Sequence, residues 1–329
     1  MPSLGSHVAR LALRTWMKPQ LARRELSLAE VERVRERIAR RYGRRRMPSD
    51  VRVAGSIVGG RPAEVSSPVG YPTDDRVVLY LHGGAFLVGS PTMYRKLAVR
   101  LARAMRAPVV VPAYRLAPEH PWPAAPTDAF AAYRGLLDAG RDPRGIAVIG
   151  DSAGGNLVLT LLQQLRDAGL PMPASASCLS PWADLTHSGE TIRSHADLDP
   201  MLPAHRLPAA ARAYAPEHDL AHPLVSPVFA DFAGFPPLLV QVGSHEVLLD
   251  DARRVVAAAQ RHGVSATLRI WDGQPHVFQM LAHVIPEGRA AIEELGGFVL
   301  RHWPARAGER VAEEPSFDVP LPVGHGLSV

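Results

Sequence analysis

Gly150-Asp151-Ser152-Ala153-Gly154 places one hydroxyl in a run of small residues. Before it stands the apolar stretch Ile146-Ala147-Val148-Ile149, and after it Asn156-Leu157-Val158-Leu159-Thr160-Leu161-Leu162. This order reads as a buried strand, a tight turn and a helix. A serine in such a turn sits on strained backbone with its hydroxyl exposed above a sheet, where a base can reach it. The flanking glycines let the chain bend sharply and leave room for a substrate. The chemistry on offer is nucleophilic attack, which requires a base, an acid to orient the base, and donors for a developing oxyanion.

Two downstream segments supply titratable groups. Gly243-Ser244-His245-Glu246 follows the apolar run ending at Val242, and Gln274-Pro275-His276-Val277-Phe278 follows the run ending at Ile270. Both lie beyond strand C-termini, on the edge where open α/β sheets bind ligands. His276 is the expected base and Glu246 the acid that holds its imidazole. His245 is an alternative base. Asp250 and Asp251 are alternative acids, although a carboxylate opening a helix is also favoured by the helix dipole alone. His82-Gly83-Gly84-Ala85-Phe86 directly follows Val77-Val78-Leu79-Tyr80-Leu81. Glycines there let backbone N–H groups face the site, so Gly83, Gly84 and Ala153 are the expected oxyanion donors.

The elements that must position these groups alternate along the chain. Strands are expected at 77–81, 108–112, 146–149, around Cys178, at 238–242 and at 266–270, with a strand region beginning at Val51. Helices are expected at 94–104, 128–137, 250–262 and 288–301. Apolar strands alternating with helices predict an α/β fold with a mostly parallel sheet covered on both faces. Residues 7–45 read as helical, with Leu11, Leu13 and Trp16 in one segment. Leu28, Val31, Val34 and Ile38 form an apolar stripe in a second, which Ser27 and Glu30 open as a capping box. The stretch 184–222, with a helical piece at Leu207–Tyr214, interrupts the alternation and reads as an insertion that could form a lid with 7–45. This divides the chain into N-terminal cap helices over 1–47, a catalytic domain over 48–303 and a poorly ordered tail over 304–329.

Bulk properties exclude several classes. The formal net charge is +5, and much of the excess is in Arg37, Arg40, Arg41, Arg44, Arg45 and Arg46. No aromatics interleave with these arginines and no nucleic-acid-binding signature accompanies them, so a solvated helix face is expected rather than a nucleic-acid partner. The single cysteine, Cys178, lies in a strand-like run and reads as inert packing that requires no oxidising compartment. No apolar run is long enough to anchor the chain in a membrane, and Arg10, Arg14 and Lys18 interrupt any leader-like stretch. A cytoplasmic location is therefore expected.

His82-Gly83-Gly84-Ala85-Phe86, Tyr114-Arg115-Leu116-Ala117-Pro118-Glu119-His120-Pro121-Trp122-Pro123-Ala124-Ala125-Pro126-Thr127-Asp128 and Gly150-Asp151-Ser152-Ala153-Gly154-Gly155-Asn156, in that order and spacing, resemble the bacterial hormone-sensitive-lipase-like carboxylesterases. The resemblance implies an α/β-hydrolase core with a helical cap, and hydrolysis of carboxylic esters, mostly short-chain, without metal or cofactor. A homodimer is a further possibility it raises. It implies structural roles for Arg115, Glu119 and Asp128 around the oxyanion loop, and for His82 as a shaper of that loop. Two departures stand out. Ala85 replaces a frequent third glycine, tolerable if its backbone is not left-handed, and Glu246 replaces the usual aspartate. Trp16, Met17 and Met201 are candidates for lining an acyl pocket. The same residues would serve a lactone hydrolase or an acetyl-ester deacetylase. A non-catalytic binding protein on this fold, of the gibberellin-receptor kind, would lack the histidine.

Overall fold

The computed structural model describes residues 1–23, 27–42, 48–73 and 75–305. Arg44, Arg45 and Arg46 of the basic stretch, and all but the first two residues of the expected tail, lie outside these. Eight strands form one sheet: β1 (Val51–Val58), β2 (Arg61–Pro68), β3 (Val77–Leu81), β4 (Val109–Pro112), β5 (Ile146–Asp151), β6 (Ser175–Leu179), β7 (Leu238–Gly243) and β8 (Ala266–Trp271). Their order is β1-β2-β4-β3-β5-β6-β7-β8. The contacts β1–β2 and β2–β4 are antiparallel, and the rest of the sheet is parallel. The strand region expected from Val51 is a hairpin. Gly59 and Gly60, both at positive φ (55° and 74°), make its two-residue turn, a conformation that glycine adopts without penalty.

The helices are α1 (Leu4–Ala12), α2 (Lys18–Arg23), α3 (Leu28–Tyr42), α4 (Pro91–Met105), α5 (Ala124–Asp138), α6 (Ala153–Asp167), α7 (Thr191–Ser194), α8 (Leu207–Tyr214), α9 (Leu249–Arg261) and α10 (Pro286–His302). A π-helical turn, Leu13–Met17, joins α1 to α2. Strand alternation sorts the core into two layers. Val77, Leu79, Leu81, Ile146 and Val148 face α5, α6 and α9. Val78, Tyr80, Ala147 and Ile149 face α4 and α10. All residues of β3, β5 and β7 are buried, the pattern of a sheet covered on both sides. Among the described residues, no helix is long and apolar enough to cross a membrane.

Polar residues of the N-terminal helices bond to the body of the protein. Ser6 Oγ donates to Gln274 Oε1 (3.0 Å), Arg10 to the Gly273 carbonyl (3.2 Å), and Lys18 to the carbonyls of Ala196 and Asp199 (both 2.6 Å). Of the apolar residues of the first expected helical segment, Leu13 is buried, while Leu11 and Trp16 are exposed. In α3, Val31 is buried and Val34 and Ile38 are half-buried, and the helix lies against α4. The Ser27 hydroxyl accepts from the Glu30 N–H at 3.4 Å, as a helix cap does. The segment between β6 and β7 carries α7 and α8. Through it, Thr191 Oγ1 donates to Val247 O (2.9 Å), and Asp199 Oδ2 accepts from Val247 N (3.0 Å), one residue beyond Glu246.

Candidate active site

Ser152 links β5 to α6 with φ 52° and ψ −120°, a conformation an L-residue adopts only when its surroundings impose it. Its N–H donates to Leu179 O (2.9 Å), and its carbonyl accepts from Trp182 N (3.0 Å) and Asn156 N (3.2 Å). The neighbours must be small. A Cβ at Gly150 would collide with the Gly154 carbonyl, and one at Gly154 with that of Leu81. A serine at a helix N-cap ordinarily caps the first turn with its hydroxyl, but Ser152 makes no such bond. Its hydroxyl is engaged elsewhere.

That hydroxyl lies 2.9 Å from His276 Nε2, and His276 Nδ1 lies 2.8 Å from Glu246 Oε2. Donation by Nδ1–H to the carboxylate leaves Nε2 as acceptor for the serine proton. All three side chains are buried. Burial pulls the His276 pKa down, but the hydrogen bond and charge of Glu246 outweigh it, and the imidazole is held above its ordinary value of 6.5. The second Glu246 oxygen accepts from Ser180 Oγ (2.7 Å) and from the Gly243 N–H. Ser180 Oγ in turn accepts from Val277 N at 3.1 Å, so one hydroxyl joins the acid to the backbone beside the imidazole.

The alternatives are committed elsewhere. His245 Nδ1 faces Arg10 Nη1 at 2.9 Å. Asp250 accepts from Thr191 N and Arg253. Asp251 Oδ2 accepts from the N–H groups of Ala183 and Asp184, both at 2.8 Å.

The glycine loop requires a correction. The Gly83 N–H donates to Asp151 Oδ1 at 2.9 Å, so it is not free to meet an oxyanion. The N–H groups of Gly84, Ala85 and Ala153 have no acceptor among the described residues. Ala85 and Phe86 have φ of 55° and 61°. The backbone at Ala85 is thus left-handed, contrary to the condition under which its methyl would be free of strain. Left-handed L-residues cost roughly 1–2 kcal/mol each.

The loop is braced on several sides. Asp151 also accepts from Tyr80 OH (2.7 Å) and Tyr94 OH (2.9 Å). Burial raises its carboxyl to about 6, although these donors pull the other way. His82 stacks against Tyr94 and Tyr114, donates from Nδ1 to the Gly83 carbonyl (2.8 Å), and is pushed down to about 4 by burial. It is a neutral structural ring. Asp128 accepts from Arg115 N (2.8 Å) and Arg115 Nη2 (2.7 Å) and pairs with Arg61 (3.1 Å). Glu119 pairs with Arg35 at 2.5 Å. Phe86 stacks on Tyr214 of α8, centroids 3.6 Å apart.

Ser180, Arg35, Tyr80 and Tyr94 had no local sequence signal, because each acts on a group distant in sequence. Trp16 and Met17 line a surface cleft of about 720 Å³ with Leu4, Val8 and Leu281, and none of Ser152, His276 and Glu246 lines it. Met201 is half-buried, its N–H donating to Asp199 Oδ1 at 2.7 Å. Cys178 is buried, its thiol pushed up by burial and directed at the Gly155 carbonyl. Among the described residues, no group of three or more His, Cys, Asp or Glu could hold a metal ion.

A family model described as the alpha/beta hydrolase fold matches residues 78–280. An acetyl-hydrolase of Streptomyces hygroscopicus is 46% identical over 226 residues, 69% of this chain and 76% of that protein. An esterase of Acinetobacter venetianus is 37% identical over 224 residues, 68% of this chain and 74% of that one. A crystallised esterase of the bacterial hormone-sensitive lipase family superposes with a TM-score of 0.84 at 39% identity, covering 92% of this chain and 99% of that one. The chain belongs to the α/β-hydrolase fold family and, within it, to the bacterial hormone-sensitive-lipase-like carboxylesterases.

Proposed function

We propose that this chain hydrolyses carboxylic esters of short to medium acyl length through an acyl-serine, with Ser152 as nucleophile, His276 as base and Glu246 as the acid that orients it. The observation that carries this reading is the unbroken relay from Ser152 Oγ to His276 Nε2 (2.9 Å) and from His276 Nδ1 to Glu246 Oε2 (2.8 Å).

His276 takes the proton as Ser152 Oγ bonds to the ester carbonyl carbon. The carbonyl electrons move to oxygen, which the N–H groups of Gly84, Ala85 and Ala153 receive. His276 returns the proton to the departing alkoxide as the C–O bond breaks, leaving acyl-serine and alcohol. Water, deprotonated by His276, attacks the acyl carbon, and as the intermediate collapses the bond to Ser152 Oγ breaks, His276 returns the proton to that oxygen and the acid is released. The imidazolium formed twice in this cycle is stabilised by the Glu246 charge beside it.

Within this chemistry, the name acetyl-hydrolase carried by the S. hygroscopicus relative supports a small acyl group as this chain's substrate. The N-terminal helices and the insertion over about 184–222 are the lid in this reading, because Arg10 and Arg35 of the former reach His245 and Leu87, and Thr191 and Tyr214 of the latter reach Val247 and Phe86.

Rates on p-nitrophenyl esters from acetate to palmitate, with lactones and acetylated alcohols alongside, test the proposal. Activity concentrated at the short esters is expected. No turnover of any ester, or turnover only of lactones, would overturn it.

A further inference from the structure

Arg35, on α3, is 52 residues upstream of Leu87 in sequence, yet its Nε donates to the Leu87 carbonyl at 2.8 Å. Nη2 donates to the Ala117 carbonyl at 2.7 Å, and Nη1 and Nη2 hold the Glu119 carboxylate at 2.5 and 3.0 Å. One planar guanidinium therefore joins the loop after β3 to the loop after β4. Other arginines are employed differently: Arg144 pairs only with Asp142, and Arg269 with Glu294, at the surface.

The two loops are those that set the glycine turn. The N–H groups of Leu87 and Val88 both donate to Gly84 O (3.0 and 2.9 Å), closing a turn in which Gly84, Ala85 and Phe86 all have positive φ. The Phe86 carbonyl accepts from Ala117 N at 2.9 Å. Arg35 grips the residue after Phe86 on one side and the carbonyl of Ala117 on the other. A strained turn persists only where its surroundings over-determine it, and Arg35 supplies part of that constraint from the N-terminal helix.

We propose that Arg35 is a positioning residue for the oxyanion turn, fixing the Gly84 and Ala85 N–H groups through the Leu87 and Ala117 carbonyls. It touches no reacting atom. The proposal rests on reading Gly84, Ala85 and Ala153 as the oxyanion donors. It gives α3 a task beyond covering the site, since docking of that helix and competence of the turn become one event.

The test compares the full-length protein with Arg35→Ala, Arg35→Lys and the surface control Arg144→Ala. Rates on p-nitrophenyl acetate are expressed per serine titrated with a reactive phosphonate. Affinity for an aryl trifluoromethyl ketone, whose serine adduct carries an oxyanion, is measured beside them. Arg35→Ala is expected to lower kcat about 10- to 100-fold, the scale of a small misplacement in the site. Its KM should stay within about threefold of the parent, because ground-state binding is untouched. Ketone affinity should fall in step with kcat, Arg35→Lys should be intermediate, and Arg144→Ala should match the parent.

Wild-type kcat per titrated serine in Arg35→Ala would overturn the proposal, as would a fall in kcat with ketone affinity unchanged. If Arg35→Ala does not fold by circular dichroism, Arg35→Lys decides on the same readings. An inactive parent would overturn the esterase reading, whereas an active parent with active Arg35 variants overturns only the role of Arg35.

Discussion

The Ser180 hydroxyl donates to Glu246 Oε1 at 2.7 Å while accepting from the N–H beyond His276, so the acid and the base of the relay share one anchor. A hydrogen bond to a charged group contributes about 1.5–3 kcal/mol. Transfer of even ~1.4 kcal/mol of this to the transition state makes Ser180→Ala about tenfold slower. Steady-state kcat on p-nitrophenyl acetate, with folding checked by near-UV dichroism, measures it. A rate equal to the parent would show that the Gly243 N–H alone suffices to hold Glu246.

Ser152→Ala is expected to leave the fold intact and to lower ester hydrolysis by about 10⁴-fold or more. Ser152→Gly should be equally inactive but more stable than the parent, by about 1 kcal/mol, because φ 52° with ψ −120° is strained for any residue with a Cβ. Thermal unfolding of the two variants separates the chemical role of the hydroxyl from the backbone strain. An Ala variant as stable as the Gly variant would refute the strain argument.

The pH profile follows from His276, which must be neutral to accept the serine proton. Its pKa is raised above 6.5 by Glu246 against the pull of burial. Activity should therefore fall as pH drops through that raised value, and Glu246→Gln should move the acid limb to lower pH while lowering the plateau. Stability runs the opposite way. A raised folded pKa stabilises the protonated form, a contribution fully present below the unfolded pKa near 6.5 and lost as pH rises through the folded one. Rate and unfolding measured across about pH 5 to 9 would expose both trends.

Asp251 is raised from 3.8 to about 8, first by burial, although backbone N–H groups favour its ionised form. The folded state thus holds a proton that the unfolded chain releases, and stability should decline as pH rises from about 4 to about 8. Asp251→Asn retains an oxygen for the Ala183 and Asp184 N–H groups and has no charge to bury. Its stability is expected to be flatter over that range than the parent's. Thermal unfolding at several pH values would show this, and an unchanged slope would place the ionisation elsewhere.

Short-range pattern announced much of this protein. The turn at Ser152 needs small neighbours in part for a local steric reason, the approach of the Gly154 carbonyl to Gly150, and β5 and α6 fall where their apolar runs lie. Glu246 and His276 were expected beside Ser152 because strand ends mark the ligand-binding edge of a parallel sheet, and their side chains do meet there. Other features depend on partners far away in sequence. Whether the Gly83 N–H is free depends on the Asp151 carboxylate, 68 residues later. The left-handed backbone at Ala85 is imposed by its loop against the preference of its own side chain. Leu11 and Trp16 are apolar yet exposed, while Ser6 and Lys18 of the same N-terminal stretch bond to the body of the protein. Arg35 reads as one more arginine in a basic helix until its three acceptors are known.

The bond from Gly83 N–H to Asp151 Oδ1 has a kinetic meaning. Asp151 adjoins Ser152 and Gly83 adjoins Gly84, so on the proposed mechanism this 2.9 Å contact helps set the gauge between attacking oxygen and oxyanion donors. The tyrosine hydroxyls of Tyr80 and Tyr94 lock that gauge in place. The entropy of bringing the two halves into register is spent once, when the chain folds, and not at each encounter with an ester. On this arrangement the first turnover should run as fast as the hundredth, with no lag while a loop finds its shape.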